Sequence, residues 1–191
     1  MNTMDAICSR KSVRSYNGKN ITQAELEQLL KAAYAAPVGM KAYETLILTV
    51  VTNQDFMDKL NADSAAVMGR PDAVPLYGAP TLIIVSSTLP GGARDNVAYS
   101  NAACIVENIA LEAVKLGIGT CHIWGAIRAL NEDQELLKQL NLPEGYVPCC
   151  AVILGHTDEI YDLREIPMDR IKTDYLAGQQ KPDPSSSRVR L

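Results

Sequence analysis

Apolar positions in this chain follow two patterns, helical spacing and short unbroken runs, and the order in which they alternate predicts the fold. Met4, Ile7 and Cys8 fall at helical spacing over residues 3–9. Thr22-Gln23-Ala24-Glu25 reads as a capping box, with Ile21 and Leu26 placed as a hydrophobic staple. Leu26, Leu29, Leu30 and Ala33 then form one apolar stripe that Pro37 ends. Thr45–Val51 is β-branched and nearly all apolar, which predicts a strand buried on both faces. Asn53 can cap a short helix carrying Phe56, Met57 and Leu60. The stretch from Asp63 to Pro80, with Gly69, Pro71, Pro75 and Gly78, is expected to be irregular; loops that long are usually functional or mobile.

Thr81–Ser87 is a second buried strand, stopped by Pro90-Gly91-Gly92. Asp95–Leu116 then predicts a helix of about six turns. It is apolar nearly all round, through Ala98, Ala102, Ile105, Val106, Ile109, Ala113 and Leu116. Such a helix is either the buried centre of a domain or an oligomer interface. Gly117 suits the position after its last turn, and Gly117–Gly125 leaves the helix for an extended segment. Asn131 is expected to cap a helix with Leu136, Leu137 and Leu140. Val147–Leu154 is the third buried run, ended by Gly155. The order predicts an α+β domain with helices on a sheet, spanning residues 1–177, with a tail over 178–191. The long helix leaves apolar surface that a monomer would struggle to cover, so a dimer is expected.

Composition narrows the function. The 191 residues carry a net charge of −4, with a pI near 5.2. That balance argues against nucleic acid or an acidic membrane as partner, since both need a basic face. No apolar run approaches the ~18 residues of a bilayer span, and no signal-peptide pattern opens the chain. Five cysteines at positions without CxxC spacing suit reduced thiols and a cytoplasmic protein. The two histidines, His122 and His156, stand at no metal-ligand spacing, so no metal is expected.

Against that acidic background Arg10-Lys11-Ser12-Val13-Arg14-Ser15-Tyr16 is a concentrated basic run. If extended, it puts Arg10, Ser12 and Arg14 on one side and Lys11 and Val13 on the other. Two guanidiniums and a hydroxyl converging on one point would suit a phosphate; the alternative is a solvated basic surface. The rest of the chain offers no protein nucleophile. Cys104 and Cys149-Cys150 read as structural thiols, and adjacent Cys121 and His122 diverge in an extended segment. Gly117-Ile118-Gly119 lacks the strand-then-helix order of a dinucleotide fingerprint. An anion site without a nucleophile suits an enzyme whose cofactor carries the chemistry.

Taken together, four segments resemble the nitroreductase family of FMN-dependent oxidoreductases. They are Arg10–Tyr16, Ala36-Pro37-Val38-Gly39-Met40-Lys41, the long helix running into Leu116–Gly125, and Pro148–Gly155, in that order and at matching distances. The resemblance covers roughly Met4 to Pro167. It implies an α+β homodimer with a small central mixed or antiparallel sheet, a long buried helix, and FMN at the subunit interface. By the same resemblance Arg10, Lys11 and Ser12 match positions holding the FMN phosphate and ribityl chain, and Arg164 a late basic residue at the phosphate. Arg14 matches a basic position near the pyrimidine edge, where a cation would favour anionic reduced flavin. Pro37, Val38, Gly39 and Lys41 match a loop that packs on the ring, commonly from the partner. Trp124 and Gly125 match the segment by the central ring. Lys41 stands where the family usually has an Asn; a second cation there would stabilise reduced flavin or select an anionic substrate. Trp124 stands where a small or acidic residue is usual.

The activity implied is electron transfer from NADH or NADPH to a small acceptor, such as a nitroaromatic or a quinone, by a ping-pong cycle. No side chain need be catalytic in its own right. A flavin-binding protein with little NAD(P)H turnover, serving storage, sensing or regulation, is the alternative. A cofactor-free anion-binding protein is a third.

Overall fold

The computed structural model describes residues 1–176; the predicted tail lies outside the described residues. Four strands form one antiparallel sheet in the order β1-β2-β4-β3, with β1 at Leu46–Val51, β2 at Thr81–Thr88, β3 at Ile118–Ile123 and β4 at Tyr146–His156. The helices are α1 (Thr3–Ser9), α2 (Gln23–Tyr34), α3 (Gln54–Val67), α4 (Asp95–Leu116), α5 (Gly125–Glu132) and α6 (Gln134–Lys138). Among the described residues no helix is long and apolar enough to cross a membrane.

Helices cover both faces of the sheet, which is why the central strands are apolar without alternation. Leu82, Ile84, Ala151 and Ile153 pack with Phe56, Met57 and Leu60 of α3 and Ile127 and Leu130 of α5. The intervening Ile83, Val85, Val152 and Leu154 meet Leu29 of α2 and Ala102, Ile105, Val106 and Ile109 of α4. A bulge breaks the β2–β4 ladder: Val85 pairs with Cys150 but Ser86 with Pro148. Cys149 is the extra residue, so it joins Cys150 against the α2–α4 layer. The bulge also admits Pro148 into a central strand.

The capping box at Thr22 and Glu25 is present, and α4 has the predicted bounds. Four expectations change. β1 is an edge strand, and residues 46–50 are half-buried rather than buried on both faces. Residues 63–67, expected to be irregular, are the last turn of α3, where Ala65 is buried and Asp63 pairs with Lys59 one turn earlier. Asn131 caps nothing; it lies in the last turn of α5 and donates to the Pro148 carbonyl at 3.0 Å. Asp133 caps α6 instead, accepting from the Glu135 and Leu136 N–H groups. Lastly, Cys104 is exposed on the outer side of α4 rather than set in an apolar core.

Candidate functional site

The basic segment leaves α1 in extended form and lies along β3. Val13 N–H donates to the Thr120 carbonyl at 2.8 Å, and Asn17 N–H to the His156 carbonyl at 3.0 Å. Val13 is fully buried, and Tyr16 packs into the core with its hydroxyl on the Val13 carbonyl. Burial raises the Tyr16 phenol far above its usual range, so it stays neutral. Gly119 makes the approach possible. A Cβ there would stand 2.9 Å from Val13 Cγ1 and 3.1 Å from both Tyr16 and Thr157. The Gly-x-Gly that invited a nucleotide reading is thus a close crossing of two backbones.

The segment's cations face different partners. Arg10 Nη2 donates to Glu107 Oε2 on α4 at 3.2 Å, and His122 Nε2 stands 3.2 Å from the same oxygen. His122 and Arg10 hold the Glu107 carboxyl below its usual range, against the opposing effect of burial. Arg10 Nε is buried without a partner among the described residues. Lys11 pairs with Glu159 at 2.9 Å and lowers that carboxyl in turn. Arg14 is exposed, with its guanidinium over the Tyr77 ring, 5.8 Å from the centroid. Arg10 and Arg14 therefore do not converge on one protein acceptor, whereas Lys11 and the Arg14 backbone N–H share Glu159. Ser12 is half-buried between them. Arg164 turns back on the segment, donating from Nε to the Cys8 carbonyl at 2.8 Å and from Nη2 to the Arg10 carbonyl. Four cations, Arg10, Lys11, Arg14 and Arg164, thus stand along this edge, with Glu107 and Glu159 as the carboxylates paired to Arg10 and Lys11.

The His122–Glu107 contact brings Trp124 and Gly125 to the same edge. Trp124 is 55% exposed where α5 begins, and that helix has no side-chain cap, so its first N–H groups have no side-chain acceptor. Open space lies beyond the Gly125 Cα.

The loop carrying Pro37, Val38, Gly39 and Lys41 is placed elsewhere. Gly39 N–H donates to Asn101 Oδ1 at 3.0 Å, and a Cβ on Gly39 would meet Val97 Cγ1 at 2.8 Å. Asn101 precedes Glu107 by six residues, about 9 Å along α4. Met40 and Lys41 both hold φ of 57°, a left-handed backbone that costs non-glycine residues roughly 1–2 kcal/mol each. The structure thus gathers Arg10, Lys11, Ser12, Arg14, Arg164, Trp124 and Gly125 at one sheet edge and keeps the 37–41 loop apart from them.

Sequence reasoning missed Glu107, Glu159, Tyr77 and Asn101. Glu107 had a signal: it is an acid in the middle of α4, directly after the buried pair Ile105 and Val106. Glu159 and Tyr77 had none, because they reach the segment from distant turns.

A family model described as the Nitroreductase family matches residues 7–156. A Bacillus subtilis (strain 168) relative named as the NAD(P)H form of FMN reductase is 25% identical over 173 residues. The alignment covers 79% of this chain and 64% of that protein, so the chain spans less than two thirds of its length. Among solved structures, a nitroreductase with bound FMN from Desulfitobacterium hafniense DCB-2 superposes with a TM-score of 0.78 at 25% identity. One with bound FMN from Bacteroides fragilis NCTC 9343 gives 0.75 at 29%. Each superposition covers 92% of this chain and 100% of the other.

Proposed function

The chain belongs to the nitroreductase family, and from that premise we propose an FMN-dependent oxidoreductase that takes electrons from NADH or NADPH and passes them to a small acceptor. Acceptors of this class are nitroaromatics, quinones and related compounds, and one open site serves donor and acceptor in turn. The observation that carries the reading is the gathering of Arg10, Lys11, Ser12 and Arg164 where the basic segment meets the start of α5.

That edge fits a flavin phosphate. Arg10 and Lys11 supply cations, Ser12 a hydroxyl, and the buried Arg10 Nε lacks a partner among the described residues. Arg164 holds the two carbonyls that frame Arg10, so it positions the segment as well as adding charge. Glu107 fixes the Arg10 guanidinium relative to His122, two residues before Trp124. Gly125 opens onto unfilled space beside an uncapped helix start, so backbone donors can face a ring without a Cβ in the way. FMN supplies the two-electron chemistry when bound. The chain's residues bind the phosphate, orient the ring and, through Arg14, place a fixed cation near it. No protein nucleophile is required.

The working unit is a homodimer with the cofactor between subunits. Pro37, Val38, Gly39 and Lys41 sit about 9 Å up α4 from the Arg10 anchor, which suits a loop that serves the partner's cofactor. Met40 at 89%, Tyr34 at 67% and Tyr43 at 52% exposure leave apolar surface around that loop for a second copy to cover. Steady-state turnover tests the activity: varying NADPH at several fixed acceptor concentrations should give parallel double-reciprocal lines. No turnover with either nicotinamide would overturn it.

A further inference from the structure

Beneath the 37–45 loop, where β2 hands over to α4, lies a cavity of about 210 Å³ whose lining includes Met40, Thr45, Thr88, Arg94, Val97 and Asn101. It is smaller than the roughly 300–1,000 Å³ of sites that enclose a whole ligand, so it suits one end of a substrate.

Two of its polar side chains, Arg94 and Asn101, offer donors, while the Thr45 and Ser87 hydroxyls donate to the Ala42 and Thr88 carbonyls. Asn101 is 8% exposed, and the Gly39 N–H donates to its Oδ1 at 3.0 Å. That bond assigns the amide: the other terminus is Nδ2, a donor with no hydrogen-bond partner among the described residues. Arg94 is exposed at the rim and makes no ion pair among the described residues. Its neighbour Asp95 directs a carboxylate oxygen to the Gly91 N–H at 2.7 Å instead. Among the described residues no carboxylate lines the cavity, and Met40, Pro90, Val97 and Ala98 give it apolar walls. An amide donor on a buried residue and an unpaired guanidinium beside apolar walls match an anionic oxygen group on an apolar body.

We propose that this cavity is an anion subsite of the substrate channel, in which Arg94 and Asn101 Nδ2 hold carboxylate or phosphate oxygens of a substrate reacting at the flavin. The proposal rests on the flavin reading above, because Gly39 and Met40 join the cavity to the loop assigned to the ring. The oxygens can belong to a carboxylate on the acceptor or to the phosphates of the nicotinamide donor.

The FMN-loaded enzyme distinguishes these. KM is measured for 4-nitrobenzoate, for neutral 4-nitrobenzamide and for NADPH in the natural protein, Arg94→Gln, Arg94→Lys and Asn101→Asp. Asn101→Asp keeps an acceptor for the Gly39 N–H but replaces the donor with a like charge. If the acceptor supplies the anion, the benzoate-to-benzamide KM ratio rises about tenfold in Arg94→Gln, the low end of a charge-assisted hydrogen bond. It rises at least as far in Asn101→Asp and stays near the natural value in Arg94→Lys. If the donor supplies it, KM for NADPH rises by that factor and the ratio holds. An unchanged ratio with an unchanged NADPH KM, or an equal rise for both acceptors, overturns the subsite. Failure of NADPH to reduce the natural protein's flavin would instead defeat the flavin reading itself.

Discussion

Arg10 donates to Glu107 at 3.2 Å, and through that contact the basic segment is tied to the middle of α4. His122 reaches the same carboxylate oxygen from β3, at 3.2 Å. One half-exposed acid thus connects the proposed phosphate end of the site to the strand that delivers Trp124 and Gly125. Glu107 also offsets part of the Arg10 charge, so its main contribution is to geometry.

Replacing Arg10 by Ala removes a guanidinium from the phosphate end. FMN affinity should fall by about 1.5–3 kcal/mol, the scale of a hydrogen bond to a charged group. Fluorescence titration of the FMN-free protein measures this, and unchanged affinity would refute the assignment of Arg10.

Glu107 predicts an acid limb in the stability curve. Its carboxyl is held below the ordinary value near 4.3 by His122 and Arg10. A depressed carboxylate contributes stability that is present above the unfolded pKa and lost as pH falls through the folded one. Urea midpoints should therefore drop below about pH 4.3, and the drop should be shallower in Glu107→Gln. Superimposable acid limbs would rule out this role.

Gly119→Ala forces a Cβ to within 2.9 Å of Val13 Cγ1, beside Tyr16 and Thr157. Overpacking of this kind costs roughly 1–3 kcal/mol. The variant should unfold at lower urea and bind FMN more weakly, because the same crossing sets the position of the basic segment. Full stability would show that the segment yields easily.

Cys149 and Cys150 are buried, and burial pushes both thiols up to about 11. Little thiolate forms near neutrality, and neither sulfur is accessible. Peptide mapping after alkylation at pH 8 should find both unmodified in the native protein and labelled after unfolding. Prompt native labelling of either would contradict the packing at the β2–β4 bulge.

The fold was legible where one pattern sufficed. The apolar run of Leu82–Val85 needs two covered faces, and the length of α4 follows from uninterrupted spacing between Pro90 and Gly117. Errors fell where tertiary contacts decide: β1 becomes half-buried only by lying at the sheet edge, and Asp133 rather than Asn131 begins a helix because α5 runs through Asn131. At the site, the cation-rich segment was legible from its contrast with an acidic chain. Its partners were not. Glu159 and Arg164 meet it across more than 140 residues of sequence, as the pairs with Lys11 and Cys8 show, and no local periodicity encodes such a meeting.

The edge formed by Arg10, Lys11, Ser12 and the start of α5 is assigned here to hold FMN for reduction by a nicotinamide. Anaerobic addition of NADH or NADPH to the purified protein, followed by visible absorbance, is the decisive test. The protein should be yellow, with a flavin band that bleaches rapidly with at least one nicotinamide and returns when an acceptor is added. A colourless protein that cannot be reconstituted with FMN, or a flavin that neither nicotinamide reduces, would contradict it.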